Sequence, residues 1–378
     1  MAGLVQHSCS LELFNTLGDV IYFAVGSYPG GYTITKGVSL IGGWDGVGTG
    51  AVNVDPNLFN TIFDGNNERQ LLKIDEDTSA PVKLNGITFE RGYDWIFGGG
   101  VMIKNGQVSI ENCVFTDNHS ESGGGALFSE SPDSLIIVNN IFESNIAVNS
   151  GGAIFVDPAN YPDVRIIGNT FIDNKASYGA AISSLRTGII IQKNQIFNSE
   201  GYSAISIDYN NLALDRIIEV SNNIIAHVRN LETPERALWI SASNGVTHHI
   251  INNTFVEAGY GIDAQTATTL YITNNIFANC TSSINSSGNL SGTNNLFSMN
   301  GANHNKLSNP IEVQDVLFVD PDMNNYHIEP ESPAVDAGAV VSLNDDIDGE
   351  KRPRGLAFDI GADEVESGFY VYLPLIIR

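Results

Sequence analysis

The sequence is poor in cysteine, in basic residues and in long apolar runs, and each shortage excludes a class of protein. Its three cysteines, Cys9, Cys113 and Cys280, lie far apart and form no Cys-X-X-Cys pair. A disulfide-rich scaffold and a zinc-binding module are therefore not expected. No stretch reaches the roughly eighteen apolar residues needed to cross a bilayer, so no membrane span is predicted.

The shortage of basic residues narrows the range of partners. Lys and Arg total 18 against 43 Asp and Glu, which gives a net charge of −25. Such a charge repels nucleic-acid phosphates and anionic membrane surfaces, so we expect neither as a partner. Neutral glycans, divalent cations and basic proteins remain, and a monomer is expected.

A phrase of the form Asn-Asn-Ile-Phe recurs along most of the chain and is the strongest signal present. Its last residue recurs every 20 to 30 residues, at Phe63, Phe89, Phe115, Phe142, Phe171, Phe197, Ile225, Phe255, Phe277 and Phe297. The apolar runs before it are short and β-branched, as in Leu135 to Val138, and helical repeats would need longer amphipathic stretches. We predict one coil of a parallel β-helix per repeat.

Each part of the repeat predicts one part of a coil. Asn tolerates the left-handed backbone of a tight corner, and stacked amides can bond from coil to coil. The recurring Phe is predicted to stack inside the core, including Phe115, Phe142, Phe171 and Phe197. A second Asn, at Asn118, Asn145 and Asn174, predicts the next corner.

Small residues, often Gly, then open a third strand. The next position is aliphatic and is predicted to face inward, at Met102, Leu127, Ile154, Ile182, Ile205, Leu238 and Ile262. Strict alternation turns the following position outward, at Ile103, Phe128, Phe155, Ser183, Ser206, Trp239 and Asp263.

The repeat also sets the expected organisation of the chain. The β-helix is predicted over 1–299, with opening coils at about 19–43 and regular repeats over about 52–299. Residues 300–366 carry turn-rich phrases instead and are predicted to cap the open end of the coil stack. Residues 367–378 are expected to form a short tail.

The repeats resemble right-handed β-helix repeat proteins of the pectin-lyase-like superfamily. The segment from Asp320 to Glu364 resembles the choice-of-anchor module of bacterial surface proteins, through Ser332-Pro-Ala-Val-Asp-Ala-Gly338 and Asp359-Ile-Gly-Ala362. The resemblance implies an all-β fold, a right-handed single-stranded parallel β-helix with a C-terminal capping segment.

The same resemblance implies a secreted or cell-surface bacterial protein. The first 30 residues contain no Lys or Arg, and their longest apolar run, Val20 to Val25, is too short for a signal peptide. We therefore expect no export signal in this chain. The residues after Glu366 contain no recognisable sorting motif.

Carboxylates on the outward side of the glycine-led strand are candidate catalytic groups. Glu130, Asp157, Asp208 and Asp263 lie on that side by alternation. Neighbouring coils separate such groups by about 5 Å and next-nearest coils by about 10 Å, which brackets the carboxylate separations of glycosidases. The alternative is that they are solvated carboxylates of an acidic protein.

A polysaccharide lyase would instead need a basic group that takes the proton next to a uronate carboxylate. Lys104, Arg91 and Arg186 are the candidates, although lone basic residues more often form surface ion pairs.

Three aromatic residues of the outward column, Phe128, Phe155 and Trp239, are candidate ligand-binding residues. Exposed rings on a flat strand suit stacking against sugars. The alternative is that loops fold over them.

An acidic loop is a candidate calcium site. Asp345, Asp346 and Asp348 concentrate hard oxygen ligands around Gly349. The alternative is a turn in which Arg352 pairs with one of these aspartates.

The leading functional hypothesis is a non-catalytic extracellular β-helix that binds a glycan or another surface, for display or adhesion. A carbohydrate-active enzyme, either hydrolase or lyase, is the first alternative, and a structural spacer is the second. Most repeats keep similar lengths, so no long loop is expected to wall a catalytic cleft. That regularity favours binding or structure.

Overall fold

Consecutive coils of the chain stack in a computed structural model that describes residues 2–5, 18–48, 52–75, 80–158, 163–209, 218–230, 234–242, 247–265, 269–301 and 307–366. Each full coil contributes one strand to each of three long parallel sheets. Sheet 1 precedes the Asn corner, sheet 2 carries the recurring Phe, and sheet 3 follows the small residues. The predicted all-β parallel β-helix is confirmed.

The strands pair with those of the next coil in the same sheet, which gives the following bounds. Sheet 1 contains Ala2–Val5, Val20–Ala24, Ser39–Trp44, Val82–Asn85, Gln107–Glu111, Ser134–Val138, Asp163–Ile167, Ile189–Gln192, Ile218–Ser221, Thr247–Ile251, Thr269–Thr273 and Asn289–Ser291. Sheet 2 contains Gly26–Pro29, Thr61–Asp64, Thr88–Glu90, Val114–Thr116, Ile141–Glu143, Thr170–Ile172, Gln195–Phe197, Ile224–Ala226, Thr254–Val256, Ile276–Ala278, Leu296–Ser298 and Ile311–Val313. Sheet 3 contains Tyr32–Ile34, Leu72–Asp75, Val101–Asn105, Leu127–Ser129, Ile154–Val156, Ile182–Leu185, Ser203–Tyr209, Arg236–Ala242, Tyr260–Ala264 and Ser282–Ser286.

Smaller elements complete the described fold. Tyr93–Asp94, His119–Ser120 and Ile146–Ala147 form a short parallel sheet between sheets 2 and 3. Near the C-terminus, Phe318–Asp320 and Asn325–Ile328 pair antiparallel around a 3-10 turn at Pro321–Met323. Within the described ranges, no helix has the length and apolar character needed to cross a membrane.

Stacked phenylalanine rings fill the core beside sheet 2. The ring centroids of Phe115 and Phe142 lie 4.8 Å apart, and those of Phe142 and Phe171 lie 4.9 Å apart. Phe197 does not join them, contrary to the prediction, because Phe171 pairs with Ile196 instead. In that coil the asparagine that bonds its equivalent in the previous coil is Asn194, the first residue of the phrase instead of the second. The inward residue therefore comes one position earlier, at Ile196.

The two asparagines of the repeat have different positions at the corner. The first adopts the left-handed backbone, as at Asn139 with φ 55°. The second is buried and bonds its equivalent in the next coil: the Asn140 side chain donates to Asn169 Oδ1 over 2.9 Å. A second ladder joins Asn118, Asn145 and Asn174 with 3.0 Å bonds. Both predicted corners therefore occur.

The inward column of sheet 3 differs from the prediction in one coil. Met102 pairs with Phe128 and faces outward, whereas Val101 and Ile103 are fully buried. Gly100 aligns with Ala126 rather than with Gly125, because the amide of Val101 donates to Ala126 O. An alignment by sequence that matches Gly98–Gly100 with Gly123–Gly125 is therefore one residue out of register.

The C-terminal residues 307–366, here called the C-terminal module, pack along the side of the last coils. Apolar residues of the module, including Ile328 and Ile360, cover outward residues of sheet 2 such as Phe197 and Ile276. Side chains of corner asparagines bond its backbone: Asn222 donates to Asp345 O over 2.7 Å, and Asn274 donates to Ala339 O over 2.8 Å. The start of the module extends the end of the coil stack, because Leu307 joins the core and Ile311–Val313 pairs with Leu296–Ser298, whereas the rest docks laterally on sheet 2.

Candidate functional site

The outer face of sheet 3 carries most of the residues predicted to be functional. Phe128 and Phe155 point away from the core there, but they are only 4% and 6% exposed. Phe97, from the loop before sheet 3, stacks on Phe128 with ring centroids 4.2 Å apart. These two rings are therefore covered rather than presented to solvent, because a preceding loop folds across them.

Glu130 and Asp157 occupy the same position in neighbouring coils, as expected. Their amides continue the ladder by donating to Ile103 O over 2.8 Å and to Ser129 O over 2.9 Å. Glu130 is exposed, whereas Asp157 forms an ion pair with Arg186. The pairing joins Asp157 to a residue of the next coil.

Asp208 and Asp263 lie in different columns of the same face. Asp208 pairs with Ser241, and partial burial raises the pKa of its carboxyl. Asp263 pairs with Trp239 and is fully buried. Asp208 is therefore a half-buried carboxyl group, whereas Asp263 is enclosed by the protein.

Three donors satisfy the buried carboxylate of Asp263. Arg236 Nε lies 2.5 Å from Oδ2, Gln265 Nε2 lies 3.1 Å from Oδ2, and Asn285 Nδ2 lies 2.9 Å from Oδ1. These donors occupy both oxygens of the carboxylate, so it is poorly placed to contact a bound ligand. Its role in this geometry is to fix the Arg236 guanidinium.

A pocket opens beside this ion pair. It has a volume of about 280 Å³ and is lined by Tyr178, Tyr202, Ser203, Arg236, Trp239 and Gln265. The ring of Tyr178 lies 5.3 Å from that of Tyr202 and 5.8 Å from that of Trp239, measured between centroids. Trp239 is half-buried here, so its ring contributes to an accessible surface. We call these residues the aromatic pocket.

Sequence reasoning identified only Trp239 in the aromatic pocket. Tyr178 and Tyr202 come directly before the small residues that open sheet 3, and neither was singled out as a candidate. The signal that could have identified them is an aromatic residue at the same point of several coils, which includes Tyr260. The Tyr260 ring centroid lies 5.7 Å from the Arg236 guanidinium carbon.

A second, more apolar groove meets the aromatic pocket at Tyr202. It has a volume of about 450 Å³ and is lined in part by Ile146, Val148, Lys175 and Glu200. Ile146 and Val148 are 37% and 47% exposed, so both contribute accessible apolar surface to the groove. Lys175 and Glu200 form an ion pair at its edge. The two cavities together span several coils.

The basic residues considered for lyase chemistry are all ion-paired. Arg91 follows a strand of sheet 2, away from the face of sheet 3, and pairs with Asp64. Lys104 Nζ lies 3.6 Å from Asp75 Oδ2, and Arg186 pairs with Asp157. The cation at the aromatic pocket is Arg236, which had not been singled out.

The three aspartates of the predicted calcium loop point to three different partners. Asp345 pairs with Lys193 at 2.6 Å, and Asp348 Oδ2 lies 2.8 Å from His327 Nε2. The buried Asp346 carboxylate accepts three backbone N–H groups, among them that of Glu350 over 2.7 Å. Burial raises the pKa of Asp346 to about 6.

The structure therefore does not gather these carboxylates around one point, because the turn itself uses Asp346. The alternative prediction, that Arg352 pairs with an aspartate of this loop, also differs from the structure. Arg352 bonds Glu364 at 2.7 Å rather than an aspartate of the loop.

Comparisons with known proteins agree with this architecture. A family model described as a right handed beta helix region matches residues 56–230. A solved structure described as a new PL6 alginate lyase complex with trisaccharide is similar over 97% of this chain and 93% of that chain, with a TM-score of 0.53 and 14% identity. A complex of alginate lyase AlyF-OU02 with G6 aligns over 97% and 92%, with a TM-score of 0.34 and 13% identity.

A search of curated proteins gave no match to this sequence. At 14% identity, the likeness to the first lyase structure speaks for the fold. Together with the stacked parallel sheets, the comparisons show that the chain folds as a right-handed parallel β-helix.

Proposed function

We propose that the protein is an extracellular β-helix that binds a polysaccharide along the outer face of sheet 3. The observation that carries the proposal is the aromatic pocket, in which Tyr178, Tyr202 and Trp239 surround a cavity beside Arg236. Aromatic rings with polar edges suit sugars, which present apolar faces and hydroxyl groups together. The adjoining groove at Ile146 and Val148 extends the surface for a chain longer than one sugar.

The charges around the aromatic pocket favour a neutral glycan. Arg236 is compensated by Asp263, Lys175 by Glu200, and Arg186 by Asp157. An anionic chain would have to compete with these carboxylates on a protein whose net charge is −25. A neutral chain requires no such displacement.

Cleavage of a polyuronate is the second candidate, and the similarity to an alginate lyase bound to a trisaccharide favours it. Elimination needs a base for the proton next to the carboxylate and a group that stabilises the charge formed there. Arg236 could neutralise the uronate carboxylate, and the hydroxyls of Tyr178 and Tyr202 could exchange protons with the sugar. In that elimination a base takes the proton next to the carboxylate, a carbon–carbon double bond forms as the bond to the glycosidic oxygen breaks, and a proton donated to the leaving oxygen gives a free hydroxyl end.

A panel of neutral polysaccharides and polyuronates distinguishes the two candidates. Binding would be measured by affinity electrophoresis and calorimetry, and turnover by reducing ends and ultraviolet absorbance of unsaturated products. We expect Trp239→Ala to weaken binding at least tenfold, a loss of about 1.4 kcal/mol. Phe155→Ala is the matched control, because that ring lies on the same face beneath a covering loop.

Each outcome assigns a different function. Binding to neutral chains that Trp239→Ala weakens supports the proposal. Unsaturated product that disappears in Arg236→Lys or Tyr202→Phe makes the protein a lyase. Absence of both binding and turnover across the panel would contradict both candidates and leave the role of a structural spacer.

A further inference from the structure

The C-terminal module brings together three side chains that could ligate a metal ion. His327 lies on the strand Asn325–Ile328, Asp348 in the turn after Asp346, and Asp363 just before Glu364. One donor atom from each lies within 4.8 Å of the other two. The set therefore combines an imidazole nitrogen with two carboxylates drawn from three separate segments.

Asp363 brings a buried carboxylate to this point. Its side chain is 7% exposed, and its Oδ2 accepts the Ile328 amide over 2.9 Å. Among the described residues, no Lys or Arg pairs with it. Arg352 acts on it electrostatically without bonding it, so a cation bound at this point would compensate the buried carboxylate directly.

The orientation of His327 presents a nitrogen to the same point. Its Nδ1 lies 2.6 Å from Asn325 Oδ1, and the His327 amide donates to the same oxygen over 3.2 Å. Both ring nitrogens face acceptors, Asn325 Oδ1 and Asp348 Oδ2, so without a metal the ring donates from both. A metal bound at Nε2 would take the place of that hydrogen, and Nδ1 would keep its bond to Asn325. A metal-ligating His commonly donates its other ring N–H to such an acceptor.

We propose that His327, Asp348 and Asp363 bind a divalent ion of the zinc class, with water in the remaining positions. An imidazole nitrogen among the ligands favours Zn²⁺ over Ca²⁺, which takes oxygen ligands. Ligands about 2.1 Å from zinc lie roughly 3.4 Å apart in tetrahedral geometry. Asp348 is exposed and can turn to reach that spacing.

The proposed ion has a structural role. It would tie together three segments of the C-terminal module, which docks beside sheet 2. The site shares only Asp348 with the predicted calcium loop, since Asp345 is directed to Lys193 and Asp346 to backbone amides. Asp345→Asn is therefore a matched control that removes an adjacent carboxylate without removing a ligand.

The test uses the full chain freed of metal by chelation and dialysis. We expect calorimetry to show one Zn²⁺ per chain, a rise in melting temperature with ZnCl₂, and no comparable response to CaCl₂. His327→Gln should weaken zinc binding at least a hundredfold, and Asp363→Asn should do the same. Asp345→Asn should bind zinc as the unchanged chain does.

Co²⁺ provides a readout besides stability, because its visible absorption reports nitrogen and oxygen ligands directly. Asp363 also accepts a backbone amide, so its variant could lose the module fold, whereas the partly exposed His327 can be replaced without that loss. Zinc binding or a cobalt spectrum that persists in His327→Gln would overturn the proposal. So would the absence of stoichiometric zinc binding, or a response to Ca²⁺ that Asp345→Asn removes.

Discussion

At the scale of single residues, the paired asparagines of the corner show how two identical side chains can have different roles. Asn140 is 1% exposed, donates to Ile110 O over 2.9 Å, and accepts the Cys113 amide over 2.8 Å. Its neighbour Asn139 is exposed and has positive φ. The inner residue satisfies backbone groups at the corner, whereas the outer one supplies a backbone conformation.

We predict that Asn139→Gly and Asn140→Ala differ widely in their effect on stability. Glycine adopts positive φ readily and already occupies the same corner position at Gly168, so Asn139→Gly should change unfolding free energy by less than about 0.5 kcal/mol. Asn140→Ala leaves buried backbone groups unpaired and should cost about 3 kcal/mol. Denaturant unfolding of both variants measures the difference, and equal losses would contradict these roles.

The phenylalanine stack gives a second prediction at this scale. Phe142 is fully buried between Phe115 and Phe171. Phe142→Ala should cost about 3 to 5 kcal/mol, because it loses buried apolar surface and leaves a cavity. Ile141→Ala is the control, since Ile141 points outward and is 43% exposed. A loss at Phe142 no larger than that at Ile141 would show that the ring does not support the core.

At the scale of elements, sheet 2 changes character along its length. Ile141 is exposed in an early coil, whereas Ile224, Ile276 and Leu296 are buried under the C-terminal module. The outward corner asparagines of these late coils bond the module instead of water. The same repeat therefore presents a solvated surface early and a docking surface late.

Docking of the module should depend on pH through Asp359. Burial raises the pKa of its carboxyl to about 7, with Glu364 adding to the rise and Arg352 opposing it. The unfolded module ionises near pH 4, so between about pH 4 and 7 the folded form holds the extra proton. Its stability must therefore fall as pH rises through this window.

We predict that hydrogen exchange within 307–366 is slower at pH 5 than at pH 8, after correction for the intrinsic rate. Chelator is present throughout, so that bound metal does not contribute. Amides of sheet 2 before Phe171 serve as the internal reference, because they lie outside the docking surface. Equal protection at both pH values, or greater protection at pH 8, would contradict the assignment to Asp359.

At the scale of the whole molecule, the excess of negative charge opposes folding. A net charge of −25 makes the acidic groups of the stacked coils repel one another. Salt screens that repulsion, with a Debye length of about 10 Å at 0.1 M. We expect the melting temperature to rise as NaCl is increased from about 0.01 to about 0.2 M, because the added salt screens this repulsion.

Glycan binding provides the contrasting measurement in the same salt series. A neutral ligand releases no counterions, so its affinity should change little. Affinity that changes steeply with salt would indicate a charged ligand and would contradict the neutral-glycan proposal. A melting temperature that does not respond to salt would show that the observed ion pairs already compensate the charge.

The sequence by itself determined the coil. Its Asn-Asn-Ile-Phe phrase specifies the corner, the amide ladder and the inward ring, because each coil contacts its neighbours through the same local pattern. The phase of that pattern was less secure: in one coil the first residue of the phrase, Asn194, takes the ladder position, so Ile196 faces inward in place of Phe197, and only strand pairing showed it.

Tertiary structure decided what lies against the coils. Phe97 covers Phe128, Tyr178 joins Trp239, and His327 meets Asp348 and Asp363 through folding of separate segments. Asn222 bonds a residue 123 positions away, and nothing in the local sequence distinguishes it from asparagines that face water. The physical reason is that repetition encodes contacts between equivalent positions, whereas the site and the docked module depend on contacts between unlike segments.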